Sequence, residues 1–94
     1  MGKNSESTAA MNIAKVINQQ IRDAFLKRIK DKGTNQSKLA EMMGKSRANV
    51  SVLLNQDNVM TLPTIIEFCR ALDLGFDIII KEKGDVSVKV SKDE

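Results

Sequence analysis

Residues 36–55 read QSKLAEMMGKSRANVSVLLN, and their spacing limits what this chain can fold into more than any other feature. Counting Gln36 as the first position, Ala40 is fifth, Gly44 ninth, Val50 fifteenth and Leu53 eighteenth. Each type suits a physical task in two short helices that cross steeply. A small residue at Ala40 lets the backbones approach. Gly44 adopts cheaply the left-handed conformation that a tight turn needs. Val50 and Leu53 anchor the second helix on the first. The turn that opens this second helix is polar, with Ser46, Arg47 and Asn49. A buried helix has no use for such a turn, whereas a surface that enters a groove does.

Apolar periodicity extends the helical reading on both sides. Ile13, Ile17, Ile21, Phe25 and Ile29 recur every four residues, widened by Val16, Ala24 and Leu26, and predict an amphipathic helix from about Met11. It should end at KDKG, with Gly33 as a left-handed cap. Asn35 is placed to cap the next helix, Ser46 the third and Thr61 a fourth, with Pro63 tolerated in the fourth helix's first turn. Ile65, Ile66, Cys69 and Leu72 are its predicted inward face, and Gly75 its predicted stop. The small polar run before Met11 reads as a loose leader. The predicted division is a flexible leader at 1–11, a helical domain at 12–75, and a β-extension and tail at 76–94.

Beyond Gly75 the period changes. FDIIIKEKGDVSVKV is rich in strand formers, with Gly84-Asp85 as a turn signal. Pairing apolar residues across the hairpin favours a three-residue loop, Lys83 to Asp85, which sets Ile80 opposite Val88 and Ile78 opposite Val90. Ile79 points away from its two neighbours, so strand 76–81 is predicted to be covered on both faces. Phe76, Ile78, Ile79 and Ile80 are the candidate interface with a second copy of the chain. Dimerisation would supplement the small core that 94 residues can build.

Composition narrows the function classes. The chain has no His and one Cys, so an internal disulfide, a Cys-rich zinc site and His-based acid–base catalysis are all excluded. No Gly-rich phosphate loop or metal-ligand spacing appears, and the reading is non-enzymatic, with no cofactor. Cys69 falls in a helical apolar register and reads as a small buried hydrophobe. A lone thiol suits a reducing cytoplasm. No apolar run nears the roughly 20 residues needed to span a bilayer, and no signal peptide opens the chain, so a cytoplasmic protein without a membrane partner is expected. The net charge of +3 is unevenly spread. Residues 12–33 carry +4 and 34–55 carry +2, while 56–80 carry −3. The positive half coincides with the opening stretch, as a surface facing nucleic acid requires.

With Val50 and Leu53 inward, Arg47, Ala48 and Val52 project from the exposed face of the second helix, with Asn49 and Ser51 beside them. Arg suits a bidentate pair with guanine, Asn can address adenine, and Ala and Val can pack on a thymine methyl. Gln36, Lys38, Lys45, Ser46 and Asn55 flank this face as candidate phosphate contacts, together with the free N–H groups at both helix starts.

NQSKLAEMMGKSRANVSVLLN followed by TLPTIIEFCRALDL resembles the phage-repressor-like (Xre-type) helix-turn-helix family over about residues 17–75. The resemblance implies a mainly α fold of four to five helices with, here, a C-terminal β-hairpin. It also implies a dimeric repressor bound to a palindromic double-stranded operator. The family's apolar residue near position 28 is here Arg28, and its first helix is usually shorter. LDLGFDIIIKEK is similar to the β-extension of antitoxins from toxin–antitoxin modules. That similarity implies an alternative, an antitoxin that neutralises a protein toxin and represses its own operon.

Overall fold

A computed structural model describes residues 3–82 and 85–92, with side chains from Thr8 to Glu82 and from Asp85 to Ser91. The elements run α1 (Lys3–Asp31), α2 (Gln36–Met43), α3 (Arg47–Leu53), α4 (Leu62–Leu72), β1 (Leu74–Ile80) and β2 (Val86–Lys92). The mainly α fold with a C-terminal hairpin is the expected one. Lys83 and Gly84, two of the three residues of the expected loop, lie outside the described residues.

Three caps form as their residue types dictate. Asn35 Oδ1 accepts from the Lys38 amide, Ser46 Oγ from the Asn49 amide and Thr61 Oγ1 from the Thr64 amide. Gly33 and Gly44 close α1 and α2 with the same paired bonds. Thr34 N–H donates to Ile29 O and Gly33 N–H to Lys30 O; Lys45 N–H donates to Ala40 O and Gly44 N–H to Glu41 O.

Phe25 lies at the centre of the core. It stacks on Phe68 of α4 at 4.9 Å and meets Phe76 of β1 edge-on at 5.4 Å. Ile21, Leu39, Val50 and Leu72 are fully buried around it. Buried polar groups bind the outer pieces to α1. Asn18 Nδ2 donates to Asn58 O at 2.7 Å, and its Oδ1 accepts from the Met60 amide at 2.9 Å.

Five details depart from the sequence expectation. Helix α1 begins at Lys3, so the segment predicted as a loose leader is helical from there on. No Gly or Pro interrupts residues 3–31, and once a helix exists each further residue is added cheaply. At 1.5 Å per residue α1 is about 43 Å long, close to the molecule's 46 Å longest extent.

Helix α4 ends at Asp73, not Gly75. Asp73 takes the left-handed conformation (φ 52°) that Gly usually supplies. Arg28 stabilises this end. It is buried, and its guanidinium donates from Nε to Leu72 O at 2.9 Å and from Nη2 to Asp73 O at 3.2 Å. Lys32 adds an ion pair to the Asp73 carboxylate at 2.9 Å. Gly75 sits within β1, where an added Cβ would come within 3.0 Å of Ser91 Oγ.

On α4 the inward face is Phe68 and Leu72, with Ile65 and Cys69 half-buried; Ile66 is exposed. Burial pushes the Cys69 thiol up, away from the reactive thiolate.

The hairpin register differs by two residues from the expected one. Ile80 faces Val86, Ile78 faces Val88 and Phe76 faces Val90. The predicted loop would have left Phe76 opposite Lys92 and Val86 opposite Glu82. The observed register gives each of these apolar residues an apolar partner, with Phe76 held on Phe25. A two-residue shift preserves the face of every side chain. Ile79, predicted to be covered, is exposed on the outer face.

Candidate nucleic-acid interface

Helices α2 and α3 pack through Leu39, Ala40 and Val50, all buried. An added Cβ at Gly44 would meet nothing within 4 Å, so the glycine serves the φ of +68° and not a lack of space. With Val50 held beneath, α3 turns its opposite side outward. Arg47, Ala48, Asn49, Ser51 and Val52 are all exposed. Val52 is 64% accessible. The five candidate base-reading residues therefore share one solvent-facing strip.

The candidate phosphate contacts divide into two groups. Lys38 is exposed, and Gln36 lines a recess together with Arg47. The other three already have partners within the chain. Lys45 Nζ pairs with Glu67 of α4 at 3.2 Å, the Ser46 hydroxyl caps α3, and Asn55 Oδ1 accepts from the Asp57 amide at 2.8 Å. An ammonium can serve two anions at once, so Lys45 keeps donors to spare; Ser46 is first of all a helix cap and Asn55 the acceptor of a local turn. The amides of Gln36, Ser37, Arg47 and Ala48 have no acceptor among the described residues, as the opening turns of helices require.

The recess also brings in Lys30, Thr34 and Ser37, none of which the sequence reading singled out. Lys30 belongs to the basic last turn of α1, and its relation to Arg47 depends on how α1 docks. Asn18 was missed as well. Through Asn58, whose Nδ2 in turn donates to Leu53 O at 3.0 Å, it ties the end of α3 to α1. A polar residue inside an apolar helical stripe was the available signal.

No helix among the described residues is long and apolar enough to cross a membrane. Comparison with curated proteins and with solved structures gives no match. Residues 24–81 match the Cro/C1-type HTH DNA-binding domain, a span that begins within α1, contains α2, α3, α4 and β1, and covers more than half the chain. The family is one of DNA-binding regulators and is non-enzymatic. An outward strip on α3, an αL glycine at the turn and a buried Ala40 and Val50 suit such a domain, and this chain belongs to the Cro/C1-type helix-turn-helix DNA-binding family.

Proposed function

We propose that this protein is a cytoplasmic, sequence-specific repressor that binds a palindromic double-stranded operator as a homodimer, with residues 46–55 of each subunit in a major groove. The carrying observation is the exposed strip Arg47, Ala48, Asn49, Ser51 and Val52 above a buried Val50. Arg47 supplies a planar pair of donors for guanine, Asn49 the matching pair for adenine, and Val52 an apolar contact for a thymine methyl. Gln36, Lys38 and the open amides of both helix starts hold the phosphates, with Lys45 contributing beyond its pair with Glu67.

The test is selection of bound sequences from a random DNA library, followed by gel shift with two variants. Arg47→Ala should weaken the selected site by about 1–3 kcal/mol and relax one position of it. Lys38→Ala should weaken selected and random DNA alike and lower the salt slope by about one. If Arg47→Ala leaves the selected position unchanged, the assignment of the reading strip fails.

A second reading, an antitoxin, has its own supporting observation. An apolar groove with a polar rim runs between α1 and β2, lined by Ile13, Val16 and Ile17 on one side and Val86 and Val88 on the other. These residues fall outside the matched span 24–81, so the DNA-binding unit does not require them. In this reading the groove takes a toxin protein, and DNA binding serves autoregulation. Ile13→Asp should then abolish toxin neutralisation in cells while operator binding persists.

A further inference from the structure

Lys45 stands apart from the other candidate phosphate contacts because its charge is already matched. Its ammonium lies 3.2 Å from the Glu67 carboxylate of α4, beside a recess between α2 and α4. The pair is not buried: the Lys45 side chain is 27% accessible and that of Glu67 46%. Arg70 borders the same recess but forms no ion pair among the described residues, so Lys45 is the cation that Glu67 holds. The ammonium of Lys38 has no carboxylate partner among them.

Position makes this pairing matter. Lys45 lies between Gly44, which turns the chain, and Ser46, which caps α3. It is two residues from Arg47, close enough for a duplex on the exposed strip to come within its reach.

While paired, Lys45 still has hydrogen-bond donors for a phosphate, but little net attraction to offer. A phosphate brought to the pair meets a positive and a negative charge at similar distances, and the two largely cancel. Moving Lys45 from Glu67 to the phosphate exchanges one ion pair for another. The cation released from DNA is then offset by one drawn to the freed carboxylate, so the contact adds little to the salt dependence of binding.

We propose that Glu67 competes with DNA phosphate for Lys45 and so holds down the affinity for every duplex, without touching DNA itself. This rests on the reading of Lys45 as a phosphate contact and adds the group that restrains it. Phosphate contacts carry no direct sequence information. Glu67 therefore lowers operator and random binding by the same factor, and leaves the choice of sequence to Arg47, Asn49 and Val52. It is a positioning residue that acts through Lys45.

The test is a salt titration of binding by the full chain. Fluorescence anisotropy follows the selected site and random duplex from about 50 to 200 mM salt. Glu67→Gln keeps the size and helix propensity of the side chain and removes its charge. It should tighten both duplexes by about two- to fivefold at the lowest salt, and steepen the log–log slope by up to about one for each subunit bound. Most of that gain should vanish in a Lys45→Ala background and persist in a Lys38→Ala background.

Unchanged affinity and slope in Glu67→Gln overturn the proposal. So does a gain of equal size without Lys45, which makes Glu67 a simple charge that repels DNA. A gain confined to the selected site overturns it too, because Lys45 would then serve sequence choice. If Lys45→Ala changes neither affinity, even beside Glu67→Gln, Lys45 contacts no phosphate and the proposal falls with that reading. Arg47→Ala still decides the reading strip separately.

Discussion

The α2–α3 pair and the C-terminal hairpin are of similar size, yet they are specified in different ways. In α2–α3 nearly every structural role is met within a few residues along the chain. Asn35 and Ser46 cap their own helices, Gly44 makes its own turn, and Ala40 and Val50 are buried on either side of that turn. The hairpin answers to distant groups: Phe76 of β1 packs on Phe25 some fifty positions earlier in the chain, and β2 lies along α1. Local chemistry can be read in order along a sequence. A register cannot be read that way, because both candidate loops satisfy local turn chemistry and both keep each side chain on its face.

This contrast predicts where damage spreads. Phe25→Ala should be the most severe change, costing about 3–5 kcal/mol, because it opens a cavity between α4 and β1 together. Thermal unfolding should show the loss, and the hairpin amides should lose hydrogen-exchange protection before those of α2. If protection is lost equally everywhere, the two regions do not differ as argued.

Asn18→Ala comes next. It leaves the Met60 amide and the Asn58 carbonyl unsatisfied near the end of α3, at a cost of about 1–3 kcal/mol. Denaturant titration measures that loss. Operator affinity should fall as well, since the end of α3 is no longer tied to α1, although Asn18 lies outside the reading strip.

Gly44→Ala should cost about 1–2 kcal/mol, all of it from the left-handed backbone, since no atom obstructs the new methyl. Gly44→Asn, a residue that tolerates this conformation, should recover much of the loss in the same titration. If Asn is no better than Ala, the turn is limited by something other than φ.

The smallest expected effect is at the end of α4. The Asp73 carboxyl is held below the usual carboxylate range by the hydrogen bond from Lys32, by the charge of that ammonium, and by the Arg28 guanidinium. A carboxyl depressed on folding stabilises fully above its unfolded value of about 3.9 and loses that contribution as pH falls through the folded value. Lys32→Ala should therefore reduce the stability difference between pH 6 and pH 3, and NMR titration should show the Asp73 carboxyl moving up. An unchanged acid limb would mean the pair is too exposed to matter.

How much could be read in advance follows the same division. The spacing from Gln36 to Leu53, the caps and the αL glycines were legible because each depends on covalent neighbours. The outward strip from Arg47 to Val52 followed from them, since burying Val50 leaves only one way for those side chains to point. Arg28 illustrates the opposite case. By type it interrupts an apolar stripe; in the fold it is the donor that holds a carbonyl end forty-four residues away. Lys45 is similar, since nothing in its local sequence marks Glu67 as its partner.

The sequence by itself determined the helix-turn-helix, its capping and the outward face of α3, because those depend on backbone propensity and short spacings. Only the tertiary structure decided where α4 stops, which strand register holds, and which of the basic residues already have partners. Those outcomes turn on groups far apart in the chain. Their energies appear only once α1 has brought Asn18, Phe25, Arg28 and Lys32 against the rest of the molecule.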